Sequence, residues 1–239
     1  LVFESVLHED PENVLALKFL GASALEQGDL ARAIAYNQRV VSTGLHLADC
    51  LSNLSLAYYR SGRLDSALTS ARAALHADPG HHAARANLVL ILQAVGSDRA
   101  KASDTNGALA AFQEAASLDP SNLDVAERLA AVLHQAGRTN EARQIFEFVV
   151  KSAPDRPEPQ LSLAMIDLEA GHLPDAVSRL ERIRQGWPGA YRAQYLLGEA
   201  YHRLGDNQQA RAAYQKCLAE APRSDPIVPA AREGLAGLQ

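Results

Sequence analysis

Glycines at Gly28, Gly62, Gly96, Gly137, Gly171 and Gly205 follow one another at intervals of 34 residues, except for one interval of 41. Alanines at Ala33, Ala67, Ala108, Ala142, Ala176 and Ala210 keep the same period with the same exception. Prolines at Pro11, Pro79, Pro120, Pro154, Pro188 and Pro222 keep it too, with Leu45 filling the one skipped slot. A period of this length means that each repeat is one supersecondary unit, too small to bury its apolar face alone. Neighbouring units must stack to build a continuous core.

Each marker has a mechanical role. A glycine ends one helix in a left-handed conformation that a residue without a side chain adopts cheaply. The alanine lets the next helix pack close, and the proline cannot continue that helix and so closes the unit. Between the markers apolar residues recur at helical spacing, as in Leu129, Val132 and Leu133, then Ile145, Phe146, Val149 and Val150. Ala, Leu and Arg dominate while β-branched and aromatic residues are sparse, which favours helix over strand. Each unit therefore reads as two antiparallel helices.

Leu-Gly pairs at 20–21 and 197–198 and Leu-Ala pairs at 129–130 and 163–164 lie in first helices. An aromatic follows in the first helix at Tyr58 and Tyr201, and another follows the small alanine at Phe112, Phe146 and Tyr214. In these residues the chain resembles the tetratricopeptide repeat family. The family's initial tryptophan slot is not kept: Val14, Ala48, His82, Leu123, Pro157 and Tyr191 occupy it. The resemblance implies an all-α fold, a right-handed superhelical solenoid of antiparallel helix pairs, as a single domain over 1–239. Its six units fall at about 14–47, 48–81, 82–122, 123–156, 157–190 and 191–224. Residues 1–10 match the second helix of a preceding half unit, with Phe3 in the aromatic slot. Residues 225–239 are expected to form a capping helix, with Ser224 or Asp225 as N-cap and Ile227, Leu235 and Leu238 as its apolar stripe.

The interval of 41 places seven extra residues in the third unit. One heptad is close to two helical turns, so the second helix could start early with a phase error of about 20°. Stepping back a heptad from Ala108 and Phe112 lands on Lys101 and Thr105, which are not core residues. The extra stretch, 97–103, is therefore expected to project into solvent, as a loop or short turn with Ser103, Asp104 or Thr105 restarting the helix in preference to a polar helical extension.

Several classes of function find no support. With 23 basic and 28 acidic side chains, a net charge of −5, the chain lacks the basic surplus of a nucleic-acid binder. Its most basic run, Arg179 to Gln185, reads as an ordinary solvated helix face. Cys50 and Cys217 imply no disulfide framework. No nucleophile elbow, phosphate-cradling glycine loop or zinc-protease signature occurs, and the histidines do not converge as metal ligands. No catalytic role, cofactor or metal is expected. Neither a signal peptide nor an apolar membrane span is present, which reads as cytoplasmic, and the start without methionine reads as a piece excised from something longer.

The resemblance assigns function to the inner wall of first helices, as a scaffold that binds a peptide or partner protein. Candidate groove residues are Lys18, Asn53, Tyr59, Arg60, Asn87, Arg128, His134, Tyr195 and Arg203. Asn53 and Asn87 occupy the same slot in adjacent units, and an amide that donates and accepts can grip a peptide backbone. This is similar to the asparagine ladder in the repeat arms of O-linked N-acetylglucosamine transferases, although Phe19, Arg128, Ser162 and Leu196 fill the slot elsewhere. Lys18 and Asn53 also fit the carboxylate clamp of chaperone-binding relatives. Ala22, Ala83 and Asn87 stand where that clamp needs its other three residues, so chaperone-type capture is not expected. A second reading makes the chain the recruiting arm of a larger enzyme, a glycosyltransferase or hydrolase. A third makes it a bacterial envelope scaffold, which the alanine- and arginine-rich composition suits.

Overall fold

A computed structural model describes residues 2–187 and 189–238, so Pro188 of the proline series lies outside it, as do the two ends of the 1–239 span. The described residues form helices only: α1 (Val2–Glu9), α2 (Val14–Glu26), α3 (Leu30–Ser42), α4 (Leu47–Arg60), α5 (Leu64–Ala77), α6 (His82–Lys101) and α7 (Thr105–Leu118). There follow α8 (Leu123–Gln135), α9 (Thr139–Ser152), α10 (Pro157–Glu169), α11 (Leu173–Gly186), α12 (Tyr191–Arg203), α13 (Asn207–Glu220) and α14 (Ile227–Ala236). Even-numbered helices from α2 to α12 are the first helices of the repeats, and odd-numbered ones from α3 to α13 the second.

The markers do what their chemistry requires, with one exception. Gly28, Gly62, Gly137, Gly171 and Gly205 have φ between 76° and 79°, and each turns the chain from a first helix into a second. Asp29 and Asp206 then accept backbone N–H groups at the start of α3 and α13. The six alanines of the series are all 0% exposed, so each is a point of closest approach between helices.

The exception is Gly96, which corrects the expectation of a projecting loop. Helix α6 runs unbroken for 20 residues through Gly96, and the left-handed residue that ends it is Ser103, with φ 61°. Asp104 then caps α7 by accepting from Gly107 N at 2.9 Å. Ser103 precedes Ala108 by five residues, as Gly62 precedes Ala67, so Ser103 is the true counterpart of the repeat glycine. The extra heptad has lengthened the first helix by about two turns, which preserves its buried face. Gly96 has the role of the small residue in the Leu-Gly pairs: an added Cβ would lie 2.8 Å from Phe112 Cζ, as one on Gly198 would lie 2.5 Å from Tyr214 Cδ1.

Two compact units make up the chain, Leu1–Val125 and Ala126–Gln239, and the boundary falls inside α8. In the first, α1 packs on α2, each of α2, α4 and α6 packs on its own second helix, and α4 packs on both α2 and α6. Its core passes from Leu17, Val40 and Cys50 through Ala24, Ile34 and Leu54 to Leu88, Ile91, Leu92 and Val125. In the second unit α10 packs on α9, α11 and α12, and α12 packs on α11, α13 and α14. There the core is built on Leu168, Leu180, Ile183 and Leu197.

The C-terminal helix α14 buries Val228 and Ala231, Leu238 just beyond it is buried too, and together they cover the ring of Tyr214, which is 0% exposed. The N-cap of this helix is Pro226, which offers no side-chain bond, rather than Ser224 or Asp225; Asp225, one residue earlier, accepts from Ile227 N at 2.9 Å and from the Tyr191 hydroxyl at 2.7 Å. Within each unit successive first helices lie in close contact, α2 with α4, α4 with α6 and α10 with α12. Successive second helices meet through long side chains instead, as where Arg72 of α5 pairs with Glu114 of α7. The wall of first helices is thus the tighter, inner one in each unit.

Candidate binding surfaces

Most of the inner-wall residues singled out from sequence are engaged with a neighbouring repeat. Lys18 Nζ lies 2.5 Å from Asp49 Oδ2 and 3.4 Å from His46 Nδ1, and His81 Nε2 lies 3.1 Å from the other oxygen of Asp49. Asn53 donates to Asn37 Oδ1 at 3.4 Å, and Asn87 donates to Ser52 O at 3.2 Å and to Ser52 Oγ at 3.1 Å. Arg60 donates to Leu25 O at 3.1 Å and Arg203 to Leu168 O at 3.0 Å. In both cases the guanidinium reaches a carbonyl in the last turn of the previous first helix, one that also accepts from the N–H of the turn glycine, and the cation meets the negative end of that helix. His134 Nε2 contacts Glu169 Oε2 at 2.7 Å. Tyr59 is half-buried against the core beside α6, and Arg128 is exposed on α8. These contacts act as rungs between successive hairpins. The amides and arginines read from sequence as ligand contacts have a structural task already.

Tyr195 stands apart. It borders a cleft of about 390 Å³ between α10, α12 and α14, with Leu161, Met165, Leu196 and Ile227 as its apolar lining and Glu158 and Arg192 at its edges. Met165 is 37% exposed, and burial raises the Tyr195 hydroxyl pKa above its ordinary value. In sequence Met165 and Leu196 are two apolar residues of first helices among many, and nothing there sets them apart from core positions. The α14 side chain Ile227 enters only because the capping helix folds back here. Both cysteines are buried free thiols, and burial pushes each up to about 11, so neither is a nucleophile at neutral pH.

A different arrangement lies on the side of the second helices. Asp167 of α10, 2% exposed, places Oδ1 2.7 Å from Arg143 Nη1 of α9 and Oδ2 3.3 Å from Arg179 Nε of α11. These three residues, with Arg182, Thr139 and Ser178, line a second cleft of about 380 Å³. The basic run that reads as a solvated face in sequence thus sends Arg179 inward. The available signal is that Asp167 occupies the slot of Tyr58 and Tyr201.

Helical hairpins stacked in a regular register define a helical-repeat protein. Profiles described as tetratricopeptide repeat match residues 2–44, 53–93 and 161–236, and another of that description matches 99–166. The chain belongs to the tetratricopeptide repeat family. Among solved structures it is similar to a tetratricopeptide repeat protein from Parabacteroides merdae, at 16% identity and a TM-score of 0.53, covering 99% of this chain and 89% of that one. It is also similar to Pseudomonas aeruginosa PilF, at 19% identity and a TM-score of 0.58, covering 94% and 97%. A third match is to the Naa15/Naa10 complex bound to HypK-THB, at 18% identity and a TM-score of 0.60, covering 99% of this chain but 35% of that one. At these identities the likeness is one of fold. No curated protein matches by sequence. Among the described residues no helix is long and apolar enough to cross a membrane.

Proposed function

We propose that this chain is a non-catalytic scaffold that holds an extended peptide segment of a partner protein against its inner wall, anchored in the cleft beside Met165 and Tyr195. A tetratricopeptide repeat fold supports a protein-interaction role in general. The observation favouring this particular place is that Leu161, Met165, Leu196 and Ile227 offer apolar surface between two side chains of opposite charge, Glu158 and Arg192. An aliphatic or aromatic anchor fits such a cleft, and affinity in interfaces concentrates at buried anchors of this kind. Residues such as Lys18, Asn87, Arg60 and Arg203 support the wall by fixing the hairpins, which keeps the cost of binding low. Naa15/Naa10 bound to HypK-THB gives an assembly in which this fold is found with partner chains.

The test is a selection of random displayed peptides against the full chain. Enriched peptides should carry an apolar anchor and lose about tenfold or more in affinity for Met165→Glu, which corresponds to about 1.4 kcal/mol. Unchanged affinity for Met165→Glu would overturn the assignment.

A further inference from the structure

The charged cluster on the second-helix side breaks the repeat at three slots at once. Where Asp167 stands, equivalent positions hold Ala24, Tyr58, Leu133 and Tyr201, and Arg99 in the lengthened third unit; where Arg143 stands, they hold Ile34, Leu68, Leu109 and Val177, and Arg211 near the C-terminus. Arg179 occupies the slot of Tyr36, Ser70, Ala111, Ile145 and Ala213. A chain that fills these slots elsewhere mostly with uncharged residues, and nowhere with another carboxylate, here accepts a buried one, whose removal from water is costly and is recovered only in part by its pairs. Departures of this kind from a sequence's own pattern mark places where something other than stability is served.

The geometry shows what the exchange achieves. Tyr58 and Tyr201 reach over to second helices, taking a hydrogen bond from Gln38 at 2.8 Å and giving one to Glu181 at 3.1 Å. Aspartate in that slot is shorter by a ring, and the space is open as the 380 Å³ cleft. Asp167 anchors Arg143 through Nη1 and Arg179 through Nε, so the guanidiniums are held from two helices with their other N–H groups not used by that carboxylate. Their side chains are only 26% and 21% exposed, which limits their motion and their screening. Arg182 stands on the rim, with no ion-pair partner among the described residues, and Thr139 and Ser178 add hydroxyl donors. Three guanidiniums face two carboxylates, Asp167 and Asp175, so the cleft carries a cationic excess.

From this we infer that the cleft between α9, α10 and α11 is a binding site for a phosphate group. A planar carboxylate is satisfied by a single guanidinium fork. Donors from two helices and two hydroxyls, converging from different directions, match a tetrahedral oxyanion with several acceptor oxygens instead. The site is separate from the peptide cleft and stands or falls independently of it.

Titrating the full chain with inorganic phosphate, O-phosphoserine and glutamate, followed by arginine side-chain and backbone amide NMR shifts, tests the assignment. Phosphate and O-phosphoserine should saturate shifts in α9 and α11 at millimolar concentrations, and glutamate should not. Tighter binding of O-phosphoserine would assign the group to a modified side chain, and equal binding to the free ion; both uphold the site. Arg182→Gln should weaken binding at least tenfold with the unfolding midpoint unchanged. The triple variant Asp167→Tyr, Arg143→Leu, Arg179→Ala restores the repeat's own residue types and should fold as stably while losing binding. No saturable shift in the wild-type chain, equal binding of glutamate, or retained binding in the triple variant would overturn the proposal.

Discussion

Asp49 illustrates how a residue in a repeat can be legible in type and illegible in role. Its slot on α4 marks it as a candidate for the inner wall, but only the fold shows that Lys18 of α2 and His81 at the start of α6 converge on its two oxygens. Hydrogen bonds from Lys18 first and His81 second hold the carboxyl below its ordinary 3.8. A folded pKa below the unfolded one stabilises the fold above the unfolded value, and that contribution is lost as pH falls through the folded value. Asp49→Asn should therefore destabilise the chain at neutral pH, and the gap from wild type should close below about pH 5, where the unfolded carboxyl begins to protonate. Urea unfolding at a series of pH values checks this; a gap that stays constant down to acid would remove Asp49 from the account. Asp167 was harder to read, because a charge in a tyrosine slot acquires meaning only when Arg143 and Arg179, from helices before and after it, are seen to meet it.

Helix lengths were legible wherever one residue does one job. Gly62 turns the chain and Ala67 admits the next helix, and spacing alone locates both. At α6 the same spacing misleads, since Gly96 sits in the glycine series by number but accepts the ring of Phe112 rather than ending the helix. A glycine that turns and a glycine that yields space look alike in sequence. The difference has a consequence for the extra heptad. Deleting Ser97–Ser103 restores the interval of 34 and leaves Gly96 directly before Asp104, as Gly28 is before Asp29. It also moves Val89, a buried core residue, into the position opposite Phe112 that requires a glycine. Overpacking of that kind costs about 1–3 kcal/mol. The deletion should lower the urea midpoint accordingly, and a midpoint equal to that of the wild type would show the added turns to be a surface ornament after all.

At the scale of the whole molecule, a repeat protein distributes its stability through neighbours, because each hairpin touches only those adjacent to it in the stack. Local damage should therefore stay local for as long as intervening hairpins hold. Gly198 offers a clean test. A Cβ there would lie 2.5 Å from the Tyr214 ring, which is 0% exposed, hydrogen-bonded to Glu199 at 2.5 Å, and covered on its other side by Gly234 of the capping helix. The ring cannot move aside, so Gly198→Ala should cost about 1–3 kcal/mol by overpacking. Hydrogen exchange followed by mass spectrometry should show faster exchange in α12, α13 and α14, with protection in α2 to α5 unchanged. Were protection to fall evenly along the chain, the two compact units would be unfolding as one cooperative body, and nearest-neighbour stacking would not describe this protein.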